Sequence, residues 1–316
     1  MCYYYLKATI ISEGGALAVR RLKTAKIFVT ALVIALSAAL SVGLPAAQSA
    51  GYAGAMAVRD IPYPHFLIEN SQRYEAYHSG NPGLPFSKVI AYVNAGVDVK
   101  AYSDIKTVED PESISVILNK NFALPSGFVP EDMVDIGGGH MMREEAAMHF
   151  QKMRADMTDL GYRVQVITAY RSFQAQSNRF NGALASYSRE SVERQFARPG
   201  HSEHQTGLTA DILHRGIQRD ESMSSARFEA TGEYAWLREN AHNYGFILRY
   251  PREYREIHGF IYEPWHWRYV GVDIATAMFN ESIGVFEEYY GKYLAPGVIT
   301  RMETEHASRV WLSGFE

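Results

Sequence analysis

Residues 197–212 read ARPGHSEHQTGLTADI. Pro199-Gly200 marks a turn-bearing loop. The loop runs into a stretch that ends at Asp211, followed at once by the apolar Ile212. A carboxylate at the edge of a core is costly without a partner, so a metal or a cation is expected beside it. Two histidines are candidates to share that metal: His204 in the same segment, and His266 in Glu263-Pro264-Trp265-His266. Two imidazoles and a carboxylate make a three-ligand zinc set that leaves a fourth position for water. Structural zinc sites usually close all four positions with Cys and His, whereas catalytic sites keep one open. A chain with one cysteine cannot build a Cys-rich structural site. Hydrolysis is therefore the leading reading.

Spacing alone proves little, since a lone His is more often a hydrogen-bonded structural residue and a lone Asp a cap. The companions carry the case. Glu263 supplies a spare carboxylate to take the proton of the attacking water. Glu263 and His266 would share a face of a helix and oppose each other on a strand. Pro264 disfavours a central strand, so a bent approach to one is expected. Gly207 permits close backbone packing beside the ligands. Residues 168–176, TAYRSFQAQ, read as a strand-to-helix junction. Arg171 within it offers a permanent planar fork of donors for an oxyanion or a substrate carboxylate.

Outward from these segments, Arg143 to Leu160 has helical periodicity, with Ala146, Phe150, Met153 and Met157 on one face and Gly161 as the stop. Tyr162 to Thr168 alternates as a strand, and Ser172 to Tyr187 reads as a helix. Ile114 to Leu118 and Phe246 to Arg249 read as short strands, and Tyr234 to Tyr244 as a helix stopped by Gly245. The segment from His266 to Val270 is expected to close the sheet. Helices and strands without regular βαβ alternation indicate an α+β fold. Residues 51–112 read as a linker and a small helical N-terminal extension, with helices opening at Asn70-Ser71 and Phe86-Ser87 around a Pro82-Gly83 turn. Residues 113–295 form the main domain and 296–316 a tail.

Residues 1–50 read as a signal peptide or an N-terminal membrane anchor. Arg20, Arg21, Lys23 and Lys26 precede an apolar stretch over 27–44, then Pro45 and small residues. Both readings place the bulk of the chain outside the cytoplasm. Cys2 precedes the basic cluster and is not placed as a lipoprotein cysteine. Beyond residue 50 the chain carries 26 Lys+Arg against 34 Asp+Glu, a net charge of −8, and no cysteine. An acidic surface argues against nucleic-acid binding, and no disulfide is available.

The run ARPGHSEHQTGLTADI, with TAYRSFQAQ before it and WLRENAHNYGFILRYP and GFIYEPWHWRYVG after it, resembles the VanY-type D-alanyl-D-alanine carboxypeptidases. The likeness covers roughly residues 113–295, more weakly from about 66. It implies a small antiparallel sheet flanked by helices, of the Hedgehog/D,D-peptidase-like kind. It implies zinc on His204, Asp211 and His266, Glu263 as general base, Arg171 at the oxyanion or substrate, and Gln176 and Ser202 near the substrate's terminal carboxylate. The implied substrate is the peptidoglycan stem peptide. Thr209 stands where an alanine is commoner, and Thr168-Ala169 where Ser-Gly is commoner. The expected activity is D,D-carboxypeptidase. An L,D-carboxypeptidase trimming tetrapeptide stems, or a non-catalytic zinc-containing wall-binding module, are the alternatives. His201 and His214 are expected at the rim of the site, His140 on a mobile loop, and Trp265 and Trp267 in a pocket wall or, for one of them, in the core.

Overall fold

The computed structural model describes residues 63–217, 224–299 and 302–303. The leader and the apolar stretch over 27–44 lie outside the described residues. In chain order the elements are α1 (Ser71–Gly80), α2 (Phe86–Asn94), β1 (Lys106–Thr107), β2 (Phe122–Ala123), β3 (Met133–Asp135) and β4 (Met141–Arg143). There follow α3 (Glu144–Asp159), β5 (Val164–Thr168), α4 (Phe173–Leu184), α5 (Arg189–Gln195) and β6 (Thr209–His214). The last group is α6 (Ser224–Glu229), α7 (Gly232–Asn240), β7 (Phe246–Leu248), α8 (Arg255–His258), β8 (His266–Tyr269), α9 (Val272–Asn280) and α10 (Phe286–Tyr289). Among the described residues no helix is long and apolar enough to cross a membrane.

Four strands make the central sheet in the order β5-β6-β8-β7, every neighbouring pair antiparallel. This is the expected α+β arrangement of a small antiparallel sheet with helices around it. Strand alternation gives the sheet two different faces. Ala210, Ile212, Trp267 and Tyr269 join Ala146, Phe150, Met153 and Met157 of α3 in the main core. The opposite face carries Thr209, Asp211, His266 and Arg268, whose register pairs Asp211 with His266 and Thr209 with Arg268. A sheet polar on one side and apolar on the other thus presents two candidate ligands side by side. The β8 strand is interior and β7 takes the edge, so the segment from His266 does not close the sheet as the sequence suggested.

The expected strand over 114–118 is irregular backbone. Val116, Ile117 and Leu118 are buried, but the carbonyls of Ile114 and Val116 accept from Arg268 and that of Leu118 from Arg249. Buried guanidiniums occupy the acceptors that a neighbouring strand would otherwise use. The α1–α2 pair buries Tyr74, Val89, Ile90 and Val93, and α2 lies against the π-helical turn Tyr290–Leu294. A Cβ at Gly291 would collide with the Ala91 carbonyl oxygen, so only glycine lets the two backbones meet. Lys88 pairs with Glu288 at 3.1 Å beside this seam.

Candidate metal centre

His204 sits on a 3₁₀ turn, Glu203–Thr206, that ends at Gly207 with φ of 68°. That left-handed residue turns the chain straight into β6, and a side chain on it would press on Met133 and Arg143. β6 then carries Asp211, and β8 opens with His266. Between them the chain makes a turn closed by the His266 N–H donating to the Glu263 carbonyl at 3.1 Å. Pro264 sits inside this turn, so the expected bend is present. It folds the Glu263 carboxylate back over its own strand, with Oε2 3.5 Å from His266 Nδ1.

The three expected ligands converge. One donor atom from each of His204, Asp211 and His266 falls within 4.8 Å of the other two, and all three side chains are buried. Asp211 Oδ1 lies 3.4 Å from His204 Nε2 and 3.2 Å from His266 Nδ1. The outer ring nitrogens are already engaged. His204 Nδ1 is 2.6 Å from the Ala169 carbonyl, to which it can only donate, leaving Nε2 with its lone pair toward Asp211. His266 Nε2 is 3.3 Å from Glu203 Oε2. Two imidazole nitrogens and a carboxylate facing one point fit a divalent zinc-like ion with an open position.

The charges fit the same picture. Burial, with Arg171 nearby, holds His204 down to about 4, so it is neutral at pH 7. Burial would also lower His266, but hydrogen bonds to Asp211 and Glu203 override it and raise the ring to about 9. Burial opposes ionisation of Asp211, yet the two imidazoles hold its carboxyl well below the usual range. The metal-free set therefore stores one proton on His266 that an incoming cation displaces.

All seven candidate residues line one cleft: Arg171, Gln176, Ser202, His204, Asp211, Glu263 and His266. Ser172 caps α4 through its Oγ, which accepts from the Ala175 N–H at 3.2 Å, and so fixes the junction that carries Arg171. Arg171 donates to Gln176 Oε1 at 2.8 Å, and Gln176 donates to the Ala197 carbonyl at 2.7 Å. The cleft's aromatic walls are Phe196, Tyr250 and Phe260. Trp265 and Trp267 pack in the core, and Trp267 also lines a separate cleft beside α9. His201 is buried under Tyr102 with Nδ1 2.8 Å from the Asn119 carbonyl, and His214 pairs with Glu233 at 2.9 Å; neither lines the cleft. His140 ends a tight β3–β4 turn whose three glycines all have positive φ. Sequence reasoning gave no role to Glu203, Arg249 or Arg268, although Glu203 stands next to a proposed ligand.

The family model described as VanY, D-alanyl-D-alanine carboxypeptidase, matches residues 139–272. The bifunctional D-Ala-D-Ala dipeptidase and carboxypeptidase VanXYC of Enterococcus gallinarum is 30% identical over 191 residues, spanning 58% of this chain and 95% of the relative. The chain belongs to the VanY-type D-alanyl-D-alanine carboxypeptidase family. Another relative of this VanY-type chain is YodJ of Bacillus subtilis (strain 168), 33% identical over 225 residues, or 68% of this chain and 79% of the relative. Among solved structures, the LdcB LD-carboxypeptidase superposes with a TM-score of 0.55 at 33% identity, covering 61% of this chain and 92% of the other. The VanY-type match spans α3, the whole central sheet and all seven cleft residues named above.

Proposed function

We propose that this chain is a zinc D,D-carboxypeptidase that removes the terminal D-alanine from peptidoglycan stem peptides. The observation that carries the proposal is the convergence of three buried ligand atoms within 4.8 Å, with Glu263 beside them and Arg171 in the same cleft. Zinc, when bound by His204, Asp211 and His266, supplies Lewis-acid activation of the attacking water and the scissile carbonyl. Glu263, in the same cleft with its carboxylate 3.5 Å from His266 Nδ1, takes the proton of the attacking water and returns it to the leaving amine. Arg171 donates to the developing oxyanion or to the substrate's terminal carboxylate, and Gln176 holds its guanidinium in place. Ser202, buried at the cleft wall, supplies a hydroxyl for the same carboxylate. Stem peptides lie outside the cytoplasmic membrane, so the enzyme works there, either secreted or anchored through residues 27–44.

A second reading is supported by the LdcB likeness: L,D-carboxypeptidase action on tetrapeptide stems. The two activities differ around one stereocentre, where a methyl-sized contact is worth only about 1–3 kcal/mol. Incubation of purified full-length chain with penta- and tetrapeptide muropeptides, with and without chelator, separates them by product mass. Chelator-sensitive loss of D-alanine from the pentapeptide is expected. Cleavage of the tetrapeptide alone selects the second reading, and no cleavage of either by zinc-loaded protein refutes both.

A further inference from the structure

Glu203 is buried in the middle of the fold, and its carboxylate is divided between two tasks. Oε1 accepts from Arg249 Nε and from Arg268 Nη1, each at 2.8 Å. Oε2 faces His266 Nε2 at 3.3 Å. Arg249 in turn grips Glu287 with two donors, at 3.0 and 2.7 Å, and all four charged side chains are fully excluded from solvent. A buried cluster of this kind is weak evidence of stability, because well-packed apolar residues often serve as well or better. Its geometry has a different use. An ionised carboxylate can only accept, so the one hydrogen the imidazole would keep with a cation bound is held at Nε2, on the side away from the ligand set. Nδ1 is the nitrogen that gives up its hydrogen to an incoming cation, so its lone pair becomes available beside Asp211. The turn that bears Glu203 also bears His204, and β8 places Arg268 two residues after His266 on the same face. One short turn therefore sets both imidazoles.

We propose that Glu203 is a positioning residue for the metal centre: clamped by Arg249 and Arg268, it fixes the ring orientation and tautomer of His266. Glu203 touches no substrate in this role. The inference rests on the zinc reading above.

The test is zinc affinity, measured by competition with a chromophoric chelator, in the parent chain, Glu203→Gln and Glu287→Gln. Removal of a carboxylate behind a ligating histidine costs about 10- to 100-fold in metal affinity. Glu203→Gln is expected to bind zinc within that range more weakly than the parent. Glu287→Gln loses a charge from the same cluster without touching an imidazole, and is expected to lower the melting temperature while leaving zinc affinity within about twofold. Parent-like affinity in Glu203→Gln, or equal weakening in both variants, overturns the assignment. Should Glu203→Gln fail to fold, ring ¹⁵N spectra of the zinc-loaded parent decide: a proton on His266 Nε2 supports the proposal and a proton on Nδ1 overturns it. A parent that binds no zinc overturns the metal reading and this inference together.

Discussion

At the scale of single residues, neighbours decide what each ionisable group can do. Glu263 is the carboxylate lining the cleft that stands outside the ligand set. Glu263→Gln is expected to bind zinc as the parent does and to lose about 10²–10⁴-fold in turnover, the usual worth of a proton-transfer group; an unchanged kcat would refute its role. His258 gives a pH prediction. Its Nδ1 accepts from the Phe260 N–H at 3.2 Å and its Nε2 donates to the Pro251 carbonyl at 3.0 Å, so the ring is held neutral. Burial pushes its pKa down to about 3. An unfolded histidine takes its proton near pH 6.5. The folded state thus keeps the full contribution of His258 above that value and loses it as pH falls toward 3. Between pH 7 and 5 the parent should lose about 2 kcal/mol more stability in urea than His258→Gln, from about 1.36 kcal/mol per unit below 6.5. Parallel pH dependences would contradict this. Much of this scale was legible in advance, because zinc chemistry needs few residue types and the chain has one cysteine. Glu203 was not, since its meaning lies in two arginines 46 and 65 residues away.

At the scale of elements, the periodicity of α3 was readable because it is a local pattern answering to one buried face, whereas β5 is half-buried along its whole length. The misread strand at 114–118 shows the limit of that logic. A run of buried apolar residues has the same composition whether its carbonyls meet another strand or a guanidinium. The order of β8 and β7 was likewise invisible, because pairing between short strands depends on partners far apart in the chain. Gly207 is the element-scale hinge of the site. Gly207→Ala should cost about 1–2 kcal/mol for a left-handed alanine, together with displacement of Met133, whose Sδ would lie 2.7 Å from the new Cβ. A melting temperature lowered by several degrees is expected, and an unchanged one would show that the turn can relax.

At the scale of the whole molecule, segments outside the family match are built into the same packing. Asn94 of α2 donates to the Gly291 carbonyl at 3.0 Å, and Tyr92 reaches Glu288 at 3.3 Å. Gly291→Leu should drive α2 off the 290–294 turn. Hydrogen exchange across residues 71–94 is expected to rise by an order of magnitude or more, since a backbone contact without room for Cβ cannot absorb a side chain. Unaltered exchange there would mean that α2 is held by its other contacts alone. The sequence made a packing extension of the main domain the natural reading of this N-terminal segment, but gave no sign of the surface it packs against. A glycine in a polar, aromatic turn gives no local sign of the backbone it must admit.

The irregular strip at 114–118 has one more consequence. Arg249 and Arg268 rely on three of its carbonyls, and Arg249 relies also on Glu287; these acceptors all lie outside residues 139–272. A fragment trimmed to those residues would strand two cations in a dry interior with too few acceptors. The smallest piece able to fold is therefore larger than residues 139–272.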